Sequence, residues 1–438
     1  MRTPRHTTPP FAIRSRVIAT PDGIVDGVIR ITDGVIESIY AGDVRDEDTG
    51  HVIDVGNQWI LPGLVDTHVH VNEPGRTDWE GWSSASRAAA AGGVTTIVDM
   101  PLNSSPVTID HTSLDAKITA AATSSIVDVA CWLGIVPESA ELLSAELIAR
   151  APGAKAFMCD SGLDEFGMAD PDIIEHACTL LAAAGKPLLV HAELVTDPPG
   201  WSGPDTSHAA WAATRPPRFE HDAACLLASI AARTGAHIHI VHVASADTQR
   251  IAEEAHAAAG GGGRLTFETC PHYLTFAADE IPDGAVAYKC APPIQPAAER
   301  DRLWEWVLRE RVMVVSDHSP APPDQKHVAD GNIQAAWGGI ASLQLTLPVM
   351  MRGLRARGTE PDPMLLATML ADQPARLAGL SAKGRIVPGA DADLIAVDPT
   401  ETWTVRGEAL YHRWPLTPYD GMELTGRVTS TWLRGRCI

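Results

Sequence analysis

The distribution of apolar and polar positions divides the chain into three parts. The first part, residues 1–58, contains short β-branched segments separated by Asp-Gly pairs at 22–23, 26–27 and 33–34. Asp-Gly between alternating segments is typical of β-hairpins, so this part predicts a small antiparallel unit. Residues 384–438 return to the same strand-like pattern. We therefore expect the two terminal parts to pack together as one small β-sandwich domain.

The central part, residues 59–383, alternates apolar runs with alanine-rich segments, which is the pattern of parallel strands connected by helices. The apolar runs predict eight strands, at 60–71, 94–100, 126–136, 153–159, 187–192, 237–244, 264–272 and 312–317. Eight strand–helix repeats over roughly 250 residues are typical of a (β/α)8 TIM barrel. The predicted fold is therefore an α/β barrel with a smaller β domain built from both chain ends.

Composition and charge exclude several classes of partner. The 438 residues include 34 Lys and Arg against 55 Asp and Glu, a net charge of −21. This excess repels nucleic acids and anionic membrane surfaces, so neither is expected as a partner. The seven cysteines show no CxxC pair or regular spacing, which argues against a disulfide framework or zinc ribbon. Without a signal-peptide pattern or an apolar stretch of about 20 residues, the expectation is a cytoplasmic protein.

Metal-capable side chains stand at the ends of five predicted strands. His68 and His70 end the first strand, and residues two apart in a strand point to the same side. The ends of the later strands contribute Lys155, His191, His242 and Asp317. Each residue alone is ambiguous, because a buried strand histidine is more often a hydrogen-bonded core residue. Together they indicate a functional site, since the carboxyl ends of barrel strands meet at one face.

With these motifs the chain resembles the amidohydrolase superfamily, and within it the cyclic-amide hydrolases: allantoinases, hydantoinases with dihydropyrimidinases, and dihydroorotases. The resemblance extends from residues 28–34 to residues 389–394. It implies two divalent metal ions per chain, with zinc first and Co, Mn, Fe or Ni as alternatives. The implied ligands are His68, His70 and Asp317 for one ion and His191 and His242 for the other, with carboxylated Lys155 as the bridge.

The residue types suit the chemistry that the resemblance implies. Neutral imidazole is a good zinc ligand, whereas the ammonium of Lys155 must first become a carbamate to offer negative charge and two oxygens. A hydroxide activated by the two ions would attack the ring amide. Asp317 would act as general base and then as general acid.

Two loops, 70–81 and 100–106, resemble those of allantoinases. Dihydroorotases typically place an arginine at the position of Asn72, whereas a neutral residue suits an uncharged ureide ring. Hydantoinases typically have tyrosine where this chain has Asp160, and Asp160 also departs from the proline expected in allantoinases. The resemblance thus implies hydrolysis of allantoin to allantoate. The candidate substrate contacts are Asn72, Cys290 and Ser319, and a buried small residue is the alternative for Cys290.

Some alternatives stay open at the level of the sequence. A hydantoinase or dihydropyrimidinase is the second candidate, and a non-catalytic scaffold paralogue is disfavoured because all six ligand positions are intact. Strict alternation points His239 away from His242, so it is predicted to support the site from behind or to lie in the core. His272, at the end of the predicted seventh strand, is a second candidate for such a supporting role. Relatives suggest a homotetramer.

Overall fold

A computed structural model describes residues 10–42, 51–139 and 142–438. The strands are β1 Phe11–Thr20, β2 Gly23–Thr32, β3 Val35–Ala41, β4 His51–Asp54, β5 Trp59–Pro62, β6 Leu64–Val69, β7 Val94–Asp99, β8 Asp128–Cys131, β9 Leu133–Ile135, β10 Ala154–Phe157, β11 Pro187–His191, β12 His237–Ile240, β13 Arg264–Thr269, β14 Met313–Val314, β15 Leu394–Thr404, β16 Glu423–Leu433 and β17 Arg436–Cys437. The α-helices are Trp82–Ala91, His111–Ser124, Ala145–Ala149, Pro171–Ala183, His208–Thr214, Arg218–Thr234, Thr248–Ala258, Pro271–Thr275, Ala297–Glu310, Thr346–Ala356, Pro363–Ala367 and Gln373–Leu377.

The two chain ends share one eight-stranded sheet. Its order is β17-β16-β15-β5-β1-β2-β3, with β4 paired to β1. Strand β5 joins the halves, because it runs parallel to β1 and antiparallel to β15. Ile13 and Ile29 from the N-terminal part pack in one buried cluster with Leu394 and Trp432 from the C-terminal part. The prediction that the terminal segments build one β domain is therefore confirmed.

The chain passes from this sheet into the barrel at Gly63. Strand β5 pairs with β1 and β15 of the terminal sheet, whereas β6 pairs with β7 of the barrel. The run predicted as one strand from residue 60 is thus two strands in different sheets. A Cβ at Gly63 would lie 2.3 Å from Thr95 Oγ1, so the close approach at this crossing requires glycine.

The barrel strands are parallel and lie in two sheets, β6-β7-β8 and β9 to β14 in sequence order. The predicted third strand, 126–136, is split into β8 and β9 on either side of Trp132, whose backbone N–H donates to Asp99 O at 3.0 Å. The last strand returns to the first through a parallel bridge between Val69 and His318 and a 2.8 Å bond from His70 N to His318 O. The barrel architecture is confirmed, although single contacts rather than continuous ladders join its two sheets.

The outer helices form where the sequence supplies caps and an apolar stripe. Helix Pro171–Ala183 is an example, because Asp170 accepts from Ile173 N at 2.9 Å and proline occupies the first helical position. Its buried residues recur at helical spacing and are Ile174, Ala177, Cys178 and Leu181. Among the described residues, no helix combines the length and apolar composition that a membrane crossing requires.

A long loop, residues 319–341, lies over the carboxyl end of the barrel. The buried side chain of Lys326 anchors it, because its ammonium donates to the carbonyls of Lys289 at 3.2 Å, Trp337 at 2.9 Å and Gly339 at 2.8 Å. Three acceptors satisfy all three donors of the ammonium, which compensates for its burial. The loop therefore has a fixed position above the strand ends.

Candidate metal centre

Six predicted residues lie together at the carboxyl end of the barrel. Three pairs of imidazole rings are neighbours, with centroids 5.6 Å apart for His68 and His70, 5.2 Å for His68 and His242, and 4.5 Å for His191 and His242. Asp317 Oδ1 lies 3.2 Å from His68 Nε2 and 3.6 Å from His70 Nε2. All of these side chains are buried, as is Lys155. The geometry is that of a compact polar cluster in an otherwise apolar barrel.

The backbone at this cluster takes an uncommon conformation. Four non-glycine residues have φ between 40° and 67°, namely Asn72, Asn103, His242 and Asp317. Left-handed backbone costs free energy for such residues and is concentrated at functional sites. It turns the chain sharply at the strand ends and presents His242 and Asp317 to the centre of the cluster.

Glu268 on β13 holds His68 from behind. His68 Nδ1 donates to Glu268 Oε1 at 2.5 Å, which leaves Nε2 directed at the cluster. The other carboxylate oxygen is 3.0 Å from His239 Nε2, and His239 Nδ1 is 2.8 Å from Thr266 Oγ1. His239 thus supports the site through Glu268. Carboxylates behind metal-binding histidines fix the ring orientation and make the ligand more basic.

His191 and His70 are also fixed through one ring nitrogen each. His191 Nε2 lies 2.8 Å from Glu193 Oε2, and its ring stacks on Phe157 with centroids 4.5 Å apart and planes at 14°. His70 Nδ1 lies 3.2 Å from the side-chain amide nitrogen of Asn103. His191 Nδ1 and His70 Nε2 are therefore the nitrogens left for a metal ion.

Burial sets the protonation states of the cluster. It lowers the pKa of His68 and His70 below 6.5, and that of His242 further, which favours the neutral imidazole that binds metal. Burial also disfavours charge on His191, but the neighbouring Cys159 and Glu193 raise its pKa overall.

Asp317 stays ionised in this setting. Burial alone would raise its pKa, yet the neighbouring His68 and His70 hold it below the usual range. A carboxylate beside two imidazoles is a suitable donor set for a borderline divalent ion such as zinc.

Lys155 is the least satisfied member of the cluster. Its side chain is fully buried, and Nζ has no hydrogen-bond partner among the described residues. Burial lowers its pKa from 10.5 to about 7, so a large share of the side chain is neutral amine near neutral pH. The neutral amine is the form that reacts with CO₂, and a carbamate would supply the missing negative charge and metal-binding oxygens. His242 Nδ1 is likewise buried and has no hydrogen-bond partner among the described residues. The donor set therefore fits a metal centre.

A cavity of about 80 Å³ opens onto the cluster. Its other walls include Asn103, Phe157, Asp160, Arg215, Ser319 and Trp337. Of the three candidate substrate contacts, only Ser319 belongs to this wall. Asn72 is buried and donates instead to Pro320 O at 3.3 Å, and Cys290 is buried with Sγ 3.3 Å from Pro292 O. Substrate contact by Asn72 and Cys290 therefore has no support in the cavity geometry and stays a prediction.

Sequence reasoning did not find several residues of the site, namely Asn103, Glu193, Arg215, Glu268 and Trp337. Glu268 carried a usable signal, because a carboxylate in an apolar strand must have a buried partner. His272 was expected at the end of the seventh strand but lies in helix Pro271–Thr275, which follows β13, with both ring nitrogens buried and without partners among the described residues. One of its ring nitrogens lies within 4.8 Å of an Asp317 carboxylate oxygen.

Residues 59–438 match the amidohydrolase family model. The chain is 41% identical to the allantoinase of Streptomyces avermitilis, with 98% of this chain and 95% of that protein covered. It is 39% identical to the allantoinase of Arabidopsis thaliana, with 98% and 88% covered.

Among solved structures, the L-hydantoinase (dihydropyrimidinase) of Arthrobacter aurescens superposes with a TM-score of 0.87 at 27% identity, covering 98% of this chain and 95% of that one. The family expected from the sequence motifs is thus confirmed, and with it a hydrolase of the cyclic-amide type. This chain belongs to the amidohydrolase family.

Proposed function

We propose that this protein is a metal-dependent allantoinase, which hydrolyses a ring amide bond of allantoin and releases allantoate. One observation carries the proposal: four imidazoles and Asp317 converge around a buried Lys155 that has no hydrogen-bond partner in the described chain. The allantoinases at 39–41% identity support the choice of substrate.

Two divalent ions fit the donor set, with zinc first and Co, Mn, Fe or Ni as alternatives. His68, His70 and Asp317 would hold one ion, His191 and His242 the other, and carboxylated Lys155 would bridge them. Bound there, the ions would make a water molecule acidic at neutral pH and polarise the ring carbonyl.

Asp317 moves the proton in the proposed reaction. Its carboxylate accepts a proton from the attacking water as the water oxygen adds to the ring carbonyl carbon. When the ring C–N bond breaks, Asp317 returns this proton to the leaving nitrogen. The carboxylic acid that forms releases its proton to the solvent, so the product carries a carboxylate and a second open ureido group, and Asp317 is again ionised.

One residue of the cavity wall argues against a hydantoinase. Asp160 stands in the wall where hydantoinases typically have tyrosine, and its carboxylate accepts from Gly162 N at 2.9 Å. The second candidate, a hydantoinase or dihydropyrimidinase, is favoured by the likeness to the Arthrobacter aurescens structure. A substrate panel of allantoin, hydantoin, dihydrouracil and dihydroorotate with metal-reconstituted enzyme separates the two. The proposal expects allantoin to give the highest kcat/KM, and faster opening of hydantoin or dihydrouracil would contradict it.

We also propose a cytoplasmic homotetramer. All seven cysteines are free thiols, which suits a reducing compartment. The tetramer rests on the family resemblance. Sedimentation of the metal-loaded protein tests it, because a homotetramer of 46.6 kDa chains is readily distinguished from a dimer.

A further inference from the structure

Arg215 is a cationic side chain in the cavity wall that the proposed chemistry leaves unused. It directly follows helix His208–Thr214, and its side chain is 20% exposed. Among the described residues that form the wall, it is the one lysine or arginine. Because its charge is paired with Glu193, its remaining N–H groups are what it can offer to a substrate.

One nitrogen of the Arg215 guanidinium holds the side chain in place. Nη1 donates to Glu193 Oε2 at 2.6 Å and lies 3.8 Å from Cys159 Sγ. The guanidinium carbon is 5.4 Å from the centroid of the Trp211 ring. Glu193 is buried and also contacts His191, so these contacts fix the guanidinium plane relative to the candidate metal centre before any ligand binds.

The opposite edge of the guanidinium is available. Neither Nε nor Nη2 donates to an acceptor among the described residues. These two nitrogens form the side-on fork of arginine, whose parallel N–H bonds match planar acceptor groups with geometric specificity. This edge therefore offers two N–H groups that lack acceptors among the described residues.

Allantoin carries an acceptor group that a plain hydantoin lacks. It is a hydantoin ring with a ureido arm, and the planar arm offers a carbonyl oxygen in addition to the ring carbonyls. We infer that the free edge of Arg215 binds the carbonyl of the ureido arm, which makes Arg215 a specificity-determining residue for ureido-substituted rings. The inference rests on the proposed function and names the group that separates its substrate from hydantoins.

The test compares two substrates on one variant. In Arg215→Gln, kcat/KM for allantoin is expected to fall roughly 10- to 100-fold, the range for losing hydrogen bonds to a charged donor. The kcat/KM for unsubstituted hydantoin is expected to change by less than about threefold, because that ring has no ureido arm for Arg215 to bind. Arg218→Gln is the matched control, since Arg218 is an exposed arginine three residues away that donates to Asp197 O. It should leave both values unchanged.

The ratio of kcat/KM for allantoin to kcat/KM for hydantoin separates loss of specificity from a general defect. A general defect in folding or in His191 would lower both activities together and would reduce the bound metal, which is measured on the same samples. Equal losses for allantoin and hydantoin would overturn the inference. Such losses would show that Arg215 binds a group common to both reactions, for example the carboxylate that both form. Arg215→Lys keeps the charge beside Glu193 but lacks the two parallel N–H groups. It should therefore lower the ratio of kcat/KM for allantoin to kcat/KM for hydantoin, as Arg215→Gln does. A wild-type ratio in Arg215→Lys would also overturn the inference. If the unmodified enzyme fails to open allantoin, the proposed function itself fails, which is a separate outcome.

Discussion

Glu268 accepts a hydrogen bond from His68 Nδ1 at 2.5 Å, and the two residues are 200 positions apart in the chain. Neither side chain is more than 1% exposed. The contact fixes which imidazole nitrogen of His68 faces the candidate metal centre. If His68 binds a metal ion, Glu268 would be part of the metal site without being a ligand.

Glu268→Gln should weaken metal binding without removing a ligand. The amide keeps the shape of the carboxylate but loses its charge, so His68 becomes a poorer ligand. We expect zinc affinity, measured by competition with a chelator, to fall about 10- to 100-fold. Glu253→Gln serves as control, because Glu253 is an exposed glutamate on helix Thr248–Ala258. Unaltered affinity in Glu268→Gln would show that the orientation of His68 does not depend on this carboxylate.

Lys155→Met separates function from stability. The substitution removes a buried amine that has no hydrogen-bond partner in the described residues and replaces it with an apolar side chain of similar length. Allantoin turnover should be abolished, because methionine cannot form a carbamate. The thermal midpoint of the metal-free protein should stay the same or rise, since the cost of burying the amine disappears. Wild-type turnover in this variant would refute the bridging role of Lys155.

The pH dependence of stability should reflect buried neutral histidines. Burial lowers the pKa of His208 from 6.5 to about 4, while Nε2 lies 3.1 Å from Ala285 O. Between these values the unfolded chain binds a proton that the folded chain does not. Stability is therefore lost as pH falls from about 6.5 towards 4, by up to about 1.4 kcal/mol per pH unit for this residue. In His208→Gln the loss between pH 7 and pH 5, measured by urea unfolding, should be smaller.

The matched control for the pH experiment is His176→Gln, which removes an exposed histidine. It should keep the pH dependence of the parent. If His208→Gln and His176→Gln lose the same free energy of unfolding on acidification, His208 is not held neutral by the fold.

A buried ionic network joins the terminal sheet to the barrel. Lys383 Nζ lies 2.7 Å from Asp128 Oδ2 and 3.3 Å from Asp391 Oδ2, and it also pairs with Asp393. Arg434, which directly follows β16, also donates to Asp128. Removing one partner of a buried pair leaves uncompensated charge.

Lys383→Met should therefore lower the free energy of unfolding by about 3–5 kcal/mol in urea titrations. The control is Arg352→Met, which deletes an exposed positive charge from helix Thr346–Ala356. It should change stability by less than about 0.5 kcal/mol. Similar values for the two variants would mean that the network contributes little to the attachment of the terminal sheet.

The sequence was sufficient for the features that depend on local patterns. The strand–helix alternation predicted the barrel, and alternation within strands aligned His68 with His70 because period-two geometry is local. The Asp-Gly turns and the strand pattern shared by both chain ends correctly predicted that the two ends form one β domain. These features need no knowledge of which distant residues touch.

The remaining features depend on contacts between distant parts of the chain. Glu268 and Arg215 acquire their roles only when separate strands and helices bring them to His68 and Glu193. The division of the first strand at Gly63 follows from packing against Thr95, which the apolar run 60–71 conceals. Asn72 was predicted to contact the substrate because of its position in a loop motif. In the structure its backbone has a φ of 67°, and its side chain donates to Pro320 O.

The central claim is that this cluster uses divalent metal ions to open allantoin. The most direct measurement titrates metal-free protein with zinc in the presence of bicarbonate and follows allantoate formation. The account predicts that turnover is absent without metal and rises to a plateau at two zinc ions per chain. Turnover that does not depend on added metal, a plateau below one ion per chain, or a reconstituted protein that leaves allantoin intact would contradict it.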